Sequence, residues 1–430
     1  MVDVIFFDYW LRGTRHFKFI LESLNAYGKT SLLLHTSSWR EGDKDEPKEV
    51  LFDGFLCRDI SFYDFSLIKA LKVEKPKVVI LLNQQTEDRI ITRFCRLNGI
   101  KTVYLMHGVI AYDTILSSRT LNSAFGLSDR LKRFSKYKIL FKEYFIAFNQ
   151  KSRFGFLNTE LYTYFIGLFI SPGKIIYNIW RFRDSYADIA LVYSKSDYDL
   201  FTKKMGFEKE KVKIVGNYNL DELYFKKQNT YQGAKDSKQL LKQELGIPDK
   251  SNYVLYIEGG FFTPGYVIPG WSLDTISEQI RSIAETMKKK ELQIIIKLHP
   301  SSDYSDLKDR LFDIDNIVIT KDYDLSLLTM HAIAVIGQSS SALRLSSVLE
   351  IPLFITSIDP LPLIFRDYVD NHFGVLVSSY SDLEEKLDSV LKGTFKNSPD
   401  YLKNTDYYLA PFDGKSGERV NDVIFSLIIN

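Results

Sequence analysis

The sequence predicts an α/β protein of two domains, each built on a parallel sheet. Short apolar runs alternate with helical patterns along most of the chain, the signature of parallel strands joined by right-handed crossovers. The alternation breaks and restarts around a polar stretch at 226–245. Nearly every apolar run also ends in a small, polar or ionisable residue, and ligands of such sheets bind outside the carboxyl ends of the strands.

Bulk properties agree. With 430 residues and 45% hydrophobic content, the chain has material for two sizeable cores. The 56 basic and 54 acidic residues nearly cancel, so no whole-molecule field draws it onto nucleic acid. Cys57 and Cys95 are the only cysteines, too few for a disulfide framework or a metal cluster. They read as buried small apolar residues in a reducing compartment. The first residues, Met-Val-Asp-Val-Ile-Phe-Phe-Asp, carry acids inside the apolar run and lack a basic lead, unlike a signal peptide. The apolar run at 164–170 stops at Ser171-Pro172-Gly173, well short of the ~20 residues a membrane span takes. The expectation is a cytoplasmic protein, soluble or peripheral on the inner face of the membrane.

In order, the first domain (1–225) opens with a strand at 2–7, then Asp8 to His16, then a helix at 16–26. Strands follow at 28–34 and 77–82. The second runs through Asn83, Gln84 and Gln85 into a helix ending near Asn98, with Thr86 as its N-cap and Glu87 and Asp88 in its first turn. A strand at 101–106 ends in His107-Gly108. Residues 111–185 break the rhythm with a basic segment and a stretch crowded with Phe and Tyr; helices covering the domain are the favoured reading over a membrane-interface surface. A strand at 187–193, a helix capped by Ser194 and closed by Gly206, and a strand at 211–215 complete the domain. The polar run 226–245 reads as linker.

The second domain (246–430) repeats the pattern. Strands are expected at 252–257, 292–298, 316–320, 332–336, 352–356 and 375–377. Helices are expected at 273–290, 307–312, 325–331, 342–349 and 382–391. A last helix, 415–428, is a candidate for packing back on the first domain.

The chemistry-bearing residues follow from these strand ends. Ser339, Ser340 and Ser341 open a helix, where free N–H groups and hydroxyls hold an anion; capping accounts for one serine and hardly three. His299 precedes Pro300, which confines its backbone to an extended form. Gly259-Gly260, after Glu258, permits close backbone approach. Asp197-Tyr-Asp199 and Asp322-Tyr-Asp324 imitate a metal motif, but both sit at helix starts, where capping is the better account.

The succession His107-Gly108, Ala187-Asp188, Ser194, Gly216-Asn217, Leu298-His299-Pro300, Ser339 to Ser341 and Asp413-Gly414 plus helix resembles the GT-B glycosyltransferases of bacterial surface polysaccharide synthesis. It is similar to the CDP-glycerol glycerophosphotransferases of teichoic acid synthesis and to capsule enzymes using CMP-sialic acid or CMP-Kdo. The resemblance covers about 77–110 and 187–430. It implies two Rossmann-like domains facing across a cleft, an acceptor domain followed by a donor domain. It also implies inverting, metal-independent transfer from a CMP- or CDP-linked donor to a glycan or lipid-linked glycan acceptor in capsule or lipopolysaccharide synthesis. No cofactor is implied beyond the nucleotide sugar, and no nucleic-acid partner.

By carry-over, the donor side comprises Glu258, Gly259, Gly260, Lys297, His299, Pro300, Ser339, Ser340 and Ser341. The acceptor side comprises Asp8, Arg12, His16, Gln84 and Gly108. Glu87, His107 and His299 are the catalytic candidates, with Glu87 ranked first as base over Asp88, His107, Asp8 and His16. Two departures stand out. Val109-Ile110 follows His107-Gly108 where the teichoic acid enzymes have Thr-Pro, and Arg344 and Leu345 follow the serines where those enzymes have an Asp. Sialyltransferases carry two acids before a Gly; Glu258-Gly259 only approximates that motif, so the base role is not assigned to it. A UDP-sugar enzyme of the same architecture, such as a 2-epimerase or hexosaminyltransferase, is the alternative. A non-catalytic assembly protein of a capsule complex is a third.

Overall fold

The computed structural model describes residues 2–39, 47–83, 86–108, 134–149, 186–262, 272–300, 302–338, 340–358 and 367–429. Gln84, Ser339 and most of 111–185 lie outside the described residues. The chain divides into two compact units, Met1–Tyr218 with Lys415–Asn430, and Asn219–Gly414.

The first unit is an eight-stranded sheet: β1 (Val4–Asp8), β2 (Ser31–His35), β3 (Glu49–Phe52), β4 (Phe55–Asp59), β5 (Val78–Leu81), β6 (Lys101–Leu105), β7 (Ile189–Val192) and β8 (Val212–Ile214). Their order is β3-β4-β2-β1-β5-β6-β7-β8, and every pairing is parallel except β3 with β4. That exception was not read from the sequence. Asp53 and Gly54 take φ of 51° and 81° between the two strands, the backbone of a tight hairpin turn that an Asp-Gly pair favours. The central strands read as unbroken apolar runs because both faces are covered. Val4 and Phe6 face one core layer with Leu33 and Ile80, while Ile5 and Phe7 face the other with Leu34 and Leu81.

The helix Phe134–Asn149 lies over the second of those layers. Leu140, Tyr144 and Ala147 are buried there, and the Glu143 carboxylate accepts from Ser66 Oγ (2.8 Å) and the Ile68 amide (2.9 Å). For this part of 111–185, helical covering of the domain is what the structure displays. The helix Ser416–Ile429 lies in the first unit, with Val420, Ile424 and Ile428 in the other core layer.

The second unit is a six-stranded, wholly parallel sheet: β9 (Tyr253–Ile257), β10 (Gln293–Lys297), β11 (Ile317–Thr320), β12 (Ala334–Gly337), β13 (Leu353–Thr356) and β14 (Val375–Val377), in the order β11-β10-β9-β12-β13-β14. The winding reverses between β9 and β12. In the first unit the same reversal falls between β1 and β5. Ligands of open α/β sheets bind at such reversal points.

The polar stretch expected as a linker is instead helical, Asp221–Glu244. Lys, Gln and Ala are good helix formers, and the apolar residues near its ends find partners. Leu223 packs with Val348, Leu349 and Phe373, and Leu241 with Tyr253 and Leu328. The first-domain boundary accordingly falls at Tyr218 rather than 225. The helix expected at 16–26 begins as a tighter turn, Leu11–His16, before Lys18–Ala26. No described helix is long and apolar enough to cross a membrane.

Candidate active site

In the second unit the loops after β9, β10 and β12 meet at the reversal point. Glu258 follows β9 and is 1% exposed. Its carboxylate accepts a hydrogen bond from the Phe261 amide, one from Ser302 Oγ at 2.6 Å and one from the His299 amide at 3.2 Å. Glu258 thus joins its own loop to the His-Pro loop after β10. The Asp303 amide also donates to the Phe262 carbonyl, at 2.8 Å. Gly260 has φ of +87°, a conformation that favours glycine.

His299 and Pro300 are exposed at the tip of that loop. Lys297, the last residue of β10, is half-buried and donates to the Lys321 carbonyl. Burial holds its ammonium below the ordinary lysine range, partly countered by Asp322 and Asp324. Lys321 in turn donates to the Ser302 carbonyl at 3.0 Å. Each of the two ammonium groups thus donates to a backbone carbonyl, that of Lys321 to the loop that carries His299.

After β12 the chain makes a tight turn, Ser341–Leu343, before the short helix Arg344–Val348. The Ser340 hydroxyl accepts from the Ala342 amide at 3.3 Å, and its carbonyl accepts from Tyr368 Oη at 2.7 Å. Ser340 thus accepts within the tight turn, whereas the helix Arg344–Val348 is entered through Leu343 with no side-chain cap, so the capping expected of a serine is not made on that helix. Gly337 lets the turn pack closely, since a Cβ there would meet Leu343 Cδ2 at 2.7 Å and the Ile257 carbonyl at 3.2 Å. Gln338 is 3% exposed and bonds Gln279 at 3.2 Å.

In the first unit, Asp8 ends β1, the helix Thr86–Leu97 follows β5, and His107 follows β6. Asp8 is buried against Gly13, where a Cβ would come within 2.0 Å of Asp8 Oδ2. The Tyr9 hydroxyl donates to the Asp88 carboxylate. Glu87, Asp88 and Arg89 are 3%, 1% and 1% exposed. His16 and His107 meet edge to face, ring centroids 5.4 Å apart. Burial, then Arg15, then His107 push His16 down from 6.5 to about 4. Burial also lowers His107, with Arg15 adding to it and a bond to the Leu82 backbone opposing it. Both imidazoles are therefore neutral at pH 7 and able to accept a proton. Arg12 is exposed, and Gly108 is partly exposed beside His107.

Sequence reasoning missed Tyr9, Ser302, Lys321, Gln338 and Gln279. Gln338 and Ser302 adjoin the serine and His-Pro motifs without being part of what marks them, and each of the five matters only through what the fold sets beside it. It also missed a row of buried ionisable groups: Asp8, His35 and Asp59 are register neighbours across β1, β2 and β4. His35 Nδ1 lies 3.0 Å from Ser37 Oγ and 3.4 Å from Asp59 Oδ2. The two Asp-x-Asp sequences do cap helices. Asp324 accepts from the Ser326 and Leu327 amides, and Asp197 forms a reciprocal cap with Ser194.

No family model and no curated protein matches the chain. Solved structures do. A variant of the wall teichoic acid polymerase TagF is similar with a TM-score of 0.58 at 12% identity, covering 99% of this chain and 89% of that one. The UDP-GlcNAc 2-epimerase of Neisseria meningitidis, bound to UDP-GlcNAc, is similar with a TM-score of 0.54 at 13% identity, covering 98% of this chain and 99% of the other. The UDP-GlcNAc 2-epimerase of Methanocaldococcus jannaschii, in complex with UDP-GlcNAc and UDP, gives 0.52 at 14% identity over 98% and 99%. At such identities the likeness bears on architecture: the chain has the GT-B fold.

Proposed function

We propose that the chain is a glycosyl-transfer-type enzyme that moves a sugar or sugar-like group from a nucleotide-activated donor to a glycan acceptor of a bacterial surface polysaccharide. One observation carries the reading: the sheet of the second unit reverses its winding between β9 and β12, and the loops at that point hold His299, Lys297, Gly260 and Ser340. An exposed imidazole, a half-buried lysine and a glycine turn suit a phosphate and the group it carries. The donor is a cytidine nucleotide conjugate on the motif resemblance, in keeping with a TagF structure described as soaked with CDPG. The acceptor is a capsule, lipopolysaccharide or lipid-linked glycan, met by a protein peripheral to the inner membrane face. His299 stabilises the leaving nucleotide, and inversion proceeds without a metal.

In the first unit a carboxylate or imidazole takes the acceptor proton. Glu87 and His107 are the two candidates. His107 is neutral and partly exposed, whereas Glu87 is buried, and this favours His107. The second reading, a UDP-sugar enzyme such as a 2-epimerase, draws on the similarity to epimerases bound to UDP-GlcNAc along their whole length.

Thermal shift with CMP, CDP, UDP and GDP tests the nucleotide, because a ligand that binds the native state raises its melting temperature. A cytidine nucleotide should shift most, His299→Ala should reduce the shift and cut turnover, and turnover should survive EDTA. A selective response to UDP, with turnover of UDP-GlcNAc in the absence of an acceptor, would install the epimerase reading. Metal-dependent turnover would overturn the metal-free mechanism.

A further inference from the structure

We propose that Glu258 is a positioning residue, a buried latch through which the loop after β9 sets the conformation of the His299-Pro300 loop, so that nucleotide affinity depends on a carboxylate that never touches the nucleotide. The inference rests on the nucleotide-binding reading above and deepens it.

The latch is read from where each oxygen goes. One oxygen of Glu258 takes the Phe261 amide, three residues on in its own loop. The other takes Ser302 Oγ and the His299 amide, both in the loop after β10. The Glu258 amide donates to the Lys297 carbonyl at 3.0 Å, so the parallel ladder continues one residue past β9 and aims the carboxylate across. On the far side, Ser302 is held by its amide bonding the His299 carbonyl at 3.0 Å and by Lys321 bonding its own carbonyl at 3.0 Å. His299 and Ser302 are thus tied to each other and to the residues that follow both neighbouring strands, Glu258 after β9 and Lys321 after β11.

A carboxylate fits this place. Both of its oxygens accept, and the Phe261 and His299 amides, one on each oxygen, can only donate. A glutamine would turn an N–H₂ group toward either the Phe261 amide or the His299 amide, setting donor against donor. At 1% exposure, water cannot repair that mismatch. The side chain therefore does not present charge to a ligand. Its effect reaches a ligand through His299, whose backbone it holds while the imidazole stands exposed at the loop tip.

Titration calorimetry with CDP and CMP on the full-length chain tests this, with UDP and GDP alongside and melting temperatures measured in parallel. Glu258→Gln should weaken the preferred nucleotide about tenfold or more while the protein remains folded. Ser302→Ala, which removes one arm of the latch, should weaken it by a smaller factor, and it keeps the test alive if Glu258→Gln does not fold. In a His299→Ala background, Glu258→Gln should cause no further loss, because its route to the nucleotide has been removed. The latch is overturned by undiminished affinity in both single variants, whatever happens to their melting temperatures. It is equally overturned by a full Glu258→Gln loss on top of His299→Ala, which would mean direct contact. A wild-type chain that binds none of the four nucleotides overturns the nucleotide reading itself, a result distinct from a binding wild type with an equally tight Glu258→Gln.

Discussion

At the residue scale, the two units differ in how their ionisable groups are held. Glu258 is engaged on every side. His16 is kept neutral by burial and by Arg15, with a pKa lowered from 6.5 to about 4. The sign of the consequence is fixed: between about pH 4 and 6.5 the unfolded chain binds the proton and the folded one does not, so stability falls as pH drops through that window. Melting temperatures from pH 7.5 to 4 should decline less steeply in His16→Gln than in wild type, and equal slopes would refute this. The general base is decided at the same scale. His107→Ala should abolish turnover with nucleotide binding intact, and Glu87→Gln should leave most of it; the opposite pattern would return the role to Glu87. His299 and the serines stand out in the sequence as candidates because Pro300 and the triple repeat mark them. Ser302 and Lys321 do not, since a lone serine and a lone lysine acquire a role only when β10 and β11 lie side by side.

At the scale of elements, alternation alone located nearly every parallel strand, because a strand covered on both faces must be apolar throughout. The β3–β4 hairpin escaped for the converse reason. No residue of β3 is fully buried and its apolar run is only Val50 to Phe52, too short to stand out, so the Asp53-Gly54 turn was its one sharp signal. The helix Asp221–Glu244 escaped because its middle is polar and carries Gly233, which imitates a linker. Close packing of β12 on the turn Ser341–Leu343 is the element-level feature most open to test. Gly337→Ala would press a methyl on Leu343 and the Ile257 carbonyl. It should cost ~1–3 kcal/mol, as overpacking does. Chemical denaturation would measure it, and a neutral result would show that Leu343 swings clear.

At the scale of the whole molecule, the first unit is discontinuous in sequence. Its core takes Val420, Ile424 and Ile428 from the helix Ser416–Ile429, and polar contacts that hold that helix include Asn421 to Ser23 Oγ at 2.7 Å and Arg419 to the Val215 carbonyl at 3.0 Å. Ile424 is fully buried. Ile424→Ala should therefore destabilise the first unit by ~2–5 kcal/mol. Hydrogen exchange would see the loss in β1 and β5 while β9 and β12 keep their protection. Equal loss in both sheets would mean that the two units unfold as one.

The returning helix also imposes an order on biosynthesis. The second unit is contiguous and can fold once Gly414 has cleared the ribosome. The first, though translated earlier, lacks Val420, Ile424 and Ile428 of its core until residues 416–429 emerge. At ~5–20 residues per second, translating the intervening unit alone takes roughly ten to forty seconds. Throughout that interval the nascent chain carries the surface that chaperones bind.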